Sequence, residues 1–153
     1  MNPWTIGGIV LATLIGALLP LQALINARLG NATQGPLFAS FASFFVGTLA
    51  LGVALLLTRT ALPSVQSASG VPPWAWSGGV IGAVFVLSAT VLVPRIGAAA
   101  LICTVVFGQI LGSLLLDHHG VLSEPRPADA MRVVGAVLVG IGALMVVRPW
   151  QPA

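Results

Sequence analysis

The chain has 153 residues, 58% of them hydrophobic and only 6% charged, with a mean hydropathy of +1.07. A soluble domain needs roughly a quarter of its residues charged to clothe its core, whereas here lysine is absent and the only acids are Asp117, Glu124 and Asp129. Six arginines against three acids give a net charge of +3 without a clustered basic face, so both a water-soluble fold and a nucleic-acid-binding surface are excluded.

The first apolar run covers about 4–28. No arginine or lysine precedes it and it is too long for a signal-peptide core, so it predicts a permanent membrane helix. Pro20 has no N–H for the Gly16 carbonyl, which predicts a kink. Just beyond it Gln22 and Asn26, spaced i, i+4, share a face. A broken helix beside paired amides points to a substrate-binding site, while the competing reading has the amides clasp a neighbouring helix. Arg28, at the end of the run, is a candidate gate or rim contact, or else an interfacial anchor.

After a break at Gly30-Asn31, a second run covers 37–58. Its Ser40, Ser43 and Thr48 lie near Phe44 and Gly47 and are lining candidates of second rank, because hydroxyls can bond their own helix. A Pro-rich break over 63–73 leads to the third run, 74–93, which opens on Trp74 and Trp76. All four tryptophans, including Trp4 and Trp150, fall at predicted helix ends, where an indole keeps its N–H in the headgroup zone.

Pro94-Arg95-Ile96-Gly97 separates the third run from the fourth, 98–116, which carries Gln109, Ser113 and Asp117 at i, i+4 and i+8. At ~1.5 Å per residue from Gly97, Gln109 lies about 18 Å in, near mid-bilayer, and Asp117 about 30 Å in, at the interface. Asp117 is therefore a second candidate gate or rim contact. Small residues at one-turn spacing, Gly8-xxx-Ala12-xxx-Gly16, Gly78-xxx-Gly82 and Gly108-xxx-Gly112, predict close helix packing. The single cysteine, Cys103, reads as a small buried hydrophobe. His118 and His119 are adjacent and point in different directions, so they predict a solvated loop and no metal site. A loop over 120–129 precedes the fifth run, 130–147.

Five spans place the arginines three to a side: Arg59, Arg126 and Arg132 with the N-terminus, Arg28, Arg95 and Arg148 opposite. With no positive-inside bias, the chain is expected to insert both ways, and an antiparallel pair of the two orientations would reproduce the inverted repeats of secondary transporters. No ionisable residue lies deep in any predicted span. Proton-for-cation exchange needs such a group, so the expected substrate is neutral, zwitterionic or weakly polar. No catalytic constellation or cofactor-cradling loop is present, and neither an enzyme nor a cofactor is expected.

The stretches Leu21-Gln22-Ala23-Leu24-Ile25-Asn26-Ala27-Arg28-Leu29-Gly30, Pro73-Trp74 with Gly78-Gly79-Val80-Ile81-Gly82, Pro94-Arg95-Ile96-Gly97, and Gly108-Gln109 followed by Asp117-His118-His119-Gly120 resemble the YdcZ-like family. These are small bacterial inner-membrane proteins of the drug/metabolite transporter superfamily, beside the small multidrug resistance proteins. The resemblance spans nearly the whole chain. It implies a five-helix, multi-pass subunit of the bacterial inner membrane that pairs antiparallel with itself or a paralogue and transports small molecules. It carries Gln22, Asn26, Arg28, Gln109 and Asp117 over as motif positions. Small multidrug resistance proteins use a glutamate in their first helix, and the first helix here has no acid.

The combined expectation is an all-α membrane protein, a single transmembrane domain over 1–153, forming an antiparallel ten-helix homodimer among membrane lipids. Gln22, Asn26, Ser43, Gln109 and Ser113 would line its central cavity and take a small-molecule substrate. A non-transporting scaffold or accessory subunit, held by Gly78, Gly82, Gly108 and Gly112, is the alternative, and a channel a third reading.

Overall fold

The computed structural model describes residues 3–148, with side chains from residue 5 onward. It is helical, with no strand among the described residues. Helices α1 (Pro3–Ala32) and α2 (Pro36–Leu57) are followed by the short α3 (Val65–Ser69) and a 3-10 turn (Pro73–Ser77), then α4 (Gly78–Ile96), α5 (Ala98–His119) and α6 (Ala130–Val147). Five segments are long and apolar enough to cross a membrane: Thr5–Ala32, Pro36–Leu57, Pro73–Ile96, Ala98–His119 and Ala130–Val147. They range from 18 to 28 residues, against the ~20 that a ~30 Å hydrocarbon core requires. In lipid a helix satisfies every backbone group internally, which favours long uninterrupted helices over local turn signals.

That preference explains where the helices outrun their sequence boundaries. Helix α1 does not stop at Gly30-Asn31 but continues to Ala32, and the Thr33 hydroxyl still donates to the Leu29 carbonyl at 2.6 Å. The effective stop is Gly35-Pro36, where Gly35 (φ 102°) precedes a proline at the first position of α2. Likewise α4 runs through Pro94 and Arg95 to Ile96, and the turn into α5 is the single residue Gly97. At φ 82°, Gly97 occupies backbone space that a Cβ disfavours.

The 63–73 break carries structure of its own, since Ser64 caps α3 by accepting from the Ser67 N–H at 3.1 Å. Trp74 and Trp76 sit in the exposed 3-10 turn that leads into α4. The side chains of Trp4 and Trp150 lie outside the described residues.

Helix α5 extends beyond residue 116 to His119 and ends on Gly120 in the left-handed region. A Cβ on Gly120 would lie 2.6 Å from Pro125 Cγ. Helix α6 begins on Asp129, whose carboxylate accepts from the Arg132 N–H at 2.8 Å.

The chain divides into two compact units whose boundaries follow Pro20 and Pro94, each a proline inside a helix. One unit holds the residues up to Pro20 with those from Arg95 onward, and there α5 and α6 pack along each other. The other is Leu21–Pro94. Alanine dominates the buried apolar side chains of both: Ala100, Ala136 and Ala143 with Leu101 in the first, and Ala23, Ala27, Ala39 and Ala89 with Val86 and Val93 in the second. Where lipid is as apolar as leucine, helix association rests on close packing, and small residues permit it. The large aliphatics face outward: Leu14, Leu18, Leu56, Val80 and Leu138 are exposed, as befits a lipid-solvated surface.

Candidate functional site

In the Leu21–Pro94 unit, burial on α1 follows Ala23, Asn26, Ala27 and Gly30, the i, i+3, i+4, i+7 stripe of a packed helix face. Helix α4 repeats the pattern with Val86, Ala89, Thr90 and Val93. Three polar side chains are buried in this unit: Asn26 at 4% exposure, Ser40 at 5% and Thr90 at 2%. Two are hydroxyls satisfied on their own helices, Ser40 donating to the Pro36 carbonyl and Thr90 to the Val86 carbonyl, each at 2.8 Å.

Asn26 differs in kind. Among the described residues no side-chain hydrogen bond engages the amides of Gln22, Asn26 or Gln109. Burial and amide chemistry together make Asn26 the most specific polar feature of the unit. The paired amides are separated by environment: Asn26 lies in the buried stripe and Gln22 is exposed at its edge. Ser43 is half-buried.

An open, largely apolar pocket of about 370 Å³ lies between the C-terminal ends of α1 and α4, lined by Leu24, Ala27, Arg28, Asn31, Val93 and Pro94. Arg28 and Asn31 are its polar members, one turn apart on α1. Further along the unit, Gly82 meets Phe44: a Cβ there would stand 3.3 Å from the ring.

In the other unit Gln109 and Ser113 are both exposed, and the Ser113 hydroxyl donates to the Ile110 carbonyl at 3.0 Å. Asp117 lies in the last turn of α5 and pairs with Arg132 at 3.9 Å, with both side chains over 40% exposed. Such a pair contributes about 0–1 kcal/mol. The connection 120–129 closes over this end. The Arg126 N–H donates to the Asp117 carbonyl at 2.7 Å, and the Ala128 N–H to His118 Nδ1 at 3.3 Å. The rings of His118 and His119 stand perpendicular, 5.1 Å apart.

The close glycine contact of this unit is Gly140, where a Cβ would come within 2.8 Å of the Phe107 ring. A Cβ on Gly78, Gly108 or Gly112 would meet no described atom within 4 Å. The units thus hold the candidate residues in two groups, Gln22, Asn26, Arg28 and Ser43 in one and Gln109, Ser113 and Asp117 in the other.

Sequence reasoning passed over Thr90, Asn31, Val93 and the Phe107–Gly140 contact. Thr90 sits at i+4 from Val86 in a run where every neighbour is apolar or small, and that spacing on a packed stripe was the available signal.

The family described as "Putative inner membrane exporter, YdcZ" matches residues 7–145. "Inner membrane protein YdcZ" of Escherichia coli (strain K12) is 30% identical over 146 residues, covering 92% of this chain and 95% of the relative. No solved structure matches the chain. With five segments able to span a bilayer and a match along nearly its whole length, the chain belongs to the YdcZ family and is a multi-pass protein of the inner membrane.

Proposed function

We propose that the chain is the subunit of a small-molecule transporter that works by alternating access as an antiparallel dimer, moving a neutral, zwitterionic or weakly polar substrate. The family description, an exporter, supports transport. The observation that carries the substrate class is the placement of charge. Arg95, Asp117, His118, His119 and Arg132 lie in the terminal turns of their helices and Arg28 one turn before the end of α1, while amides and hydroxyls are the polar groups deeper in. A carboxylate able to exchange a proton for a cation at mid-bilayer is absent among the described spans.

Gln22, Asn26 and Ser43 are the groups assigned to substrate within the Leu21–Pro94 unit, and Gln109 and Ser113 those within the other. Arg28 and Asp117 are the rim contacts. The exposure of Gln22, Gln109 and Ser113 within one chain suits a cavity completed by a second copy.

The test uses everted vesicles and a panel of radiolabelled neutral and zwitterionic metabolites. Gln22→Ala or Gln109→Ala is expected to lower transport roughly tenfold, the worth of about one hydrogen bond, with the dimer intact by cross-linking. Transport indifferent to both amides would reject the assignment. If enlarging Gly82 or Gly112 also disrupted assembly, the result would favour the scaffold.

A further inference from the structure

Apart from Arg28, which the transport reading sets at the rim, the residues lining the pocket between the ends of α1 and α4 have no part in that reading. Its walls are carbon, from Leu24, Ala27, Val93 and Pro94, and its polar members are Arg28 and Asn31. At about 370 Å³ it admits roughly a dozen water-sized groups of ~30 Å³ each. Among the described residues the ion pair is Arg132 with Asp117, so no carboxylate neutralises Arg28.

Depth narrows the choice of ligand. The α1 span has 28 residues and ends at Ala32, about 42 Å of helix against a ~30 Å hydrocarbon core. Arg28, one turn from that end, therefore stands in the headgroup layer. Leu24 is 49% exposed and is flanked on α1 by Leu21 at 54% and Ile25 at 56%, so the pocket borders surface suited to acyl chains.

We propose that this pocket binds the headgroup of an anionic phospholipid. The Arg28 guanidinium pairs with the phosphodiester oxygens, and the Asn31 amide donates to the phosphate or to the glycerol oxygens. Leu24, Ala27, Val93 and Pro94 take the glycerol backbone and the first acyl carbons. The lining holds no acid that would attract a choline or ethanolamine ammonium, so a net-negative headgroup is preferred over a zwitterionic one. The site stands whether or not the subunit transports.

Full-length protein is released from nanodiscs of equimolar phosphatidylglycerol and phosphatidylcholine, and retained lipid is counted by native mass spectrometry. Phosphatidylglycerol should be enriched on the wild type, and Arg28→Gln should lower that enrichment about five- to tenfold. Arg28→Lys should keep most of it, and Arg148→Gln all of it. Leu24→Trp, which fills the pocket from its exposed wall without touching the charge, should lower it as well and serves if Arg28→Gln fails to assemble. Equal retention of the two lipids by the wild type, or enrichment unchanged in Arg28→Gln or Leu24→Trp, overturns the proposal. Displacement of the lipid by millimolar glycerol phosphate would also overturn it, in favour of a small-anion site.

Discussion

Asn26 is a polar amide at 4% exposure on a stripe otherwise made of Ala23, Ala27 and Gly30. Among the described residues no side-chain N or O atom is both buried and without a partner, so the Asn26 amide keeps its polar end accessible from an otherwise buried position. Replacement by the near-isosteric leucine separates the two explanations. If Asn26 serves substrate, Asn26→Leu leaves thermal unfolding unchanged or slightly raised and lowers transport about tenfold. If it clasps a neighbouring helix, unfolding shifts by about 0.6 kcal/mol, the usual worth of such a bond in a membrane, and transport per folded molecule is retained. The i, i+4 spacing of Gln22 and Asn26 made this face legible in sequence. It did not reveal that Asn26 is buried and Gln22 exposed, because a spacing defines a face without saying what covers it.

Between elements, two glycines have structural consequences that a substitution can read. Gly97 is the entire turn between α4 and α5 and holds φ 82°. Gly97→Ala should therefore destabilise the protein by about 1–3 kcal/mol, seen as a lowered unfolding temperature in detergent. Gly140 admits the Phe107 ring at the α5–α6 contact. Gly140→Leu should cost about 1–3 kcal/mol through overpacking. Gly112→Leu is the comparison, since a Cβ there meets no described atom. It should leave the unfolding temperature of the subunit unchanged, and a loss of dimer on size-exclusion would mark its stripe as the face between copies. The Gly108-xxx-Gly112 pattern was visible in sequence and the Phe107–Gly140 contact was not, since small-residue spacing marks a capacity for close approach and the partner's rotation decides its use.

For the whole molecule, the distribution of arginine decides insertion. Arg59, Arg126 and Arg132 follow or precede helix ends on the N-terminal side of the five-span order, and Arg28, Arg95 and Arg148 do so on the other. On that three-to-three balance, reporters active on opposite sides of the membrane, fused in turn to the C-terminus, should both give signal. Two lysines added in the 60–64 segment should silence one of them. A single active reporter in the wild type would reject the self-paired antiparallel dimer. The number of spans and the course of α6 were determined by sequence alone, because apolar length against bilayer thickness is a one-dimensional property. The charge-free span interiors were legible for the same reason. Only the tertiary structure decided the burial of Asn26 and Thr90, the Asp117–Arg132 pair and the pocket that Arg28 lines. Each depends on how a helix is rotated and what stands beside it, and periodicity along one chain segment carries no information about either.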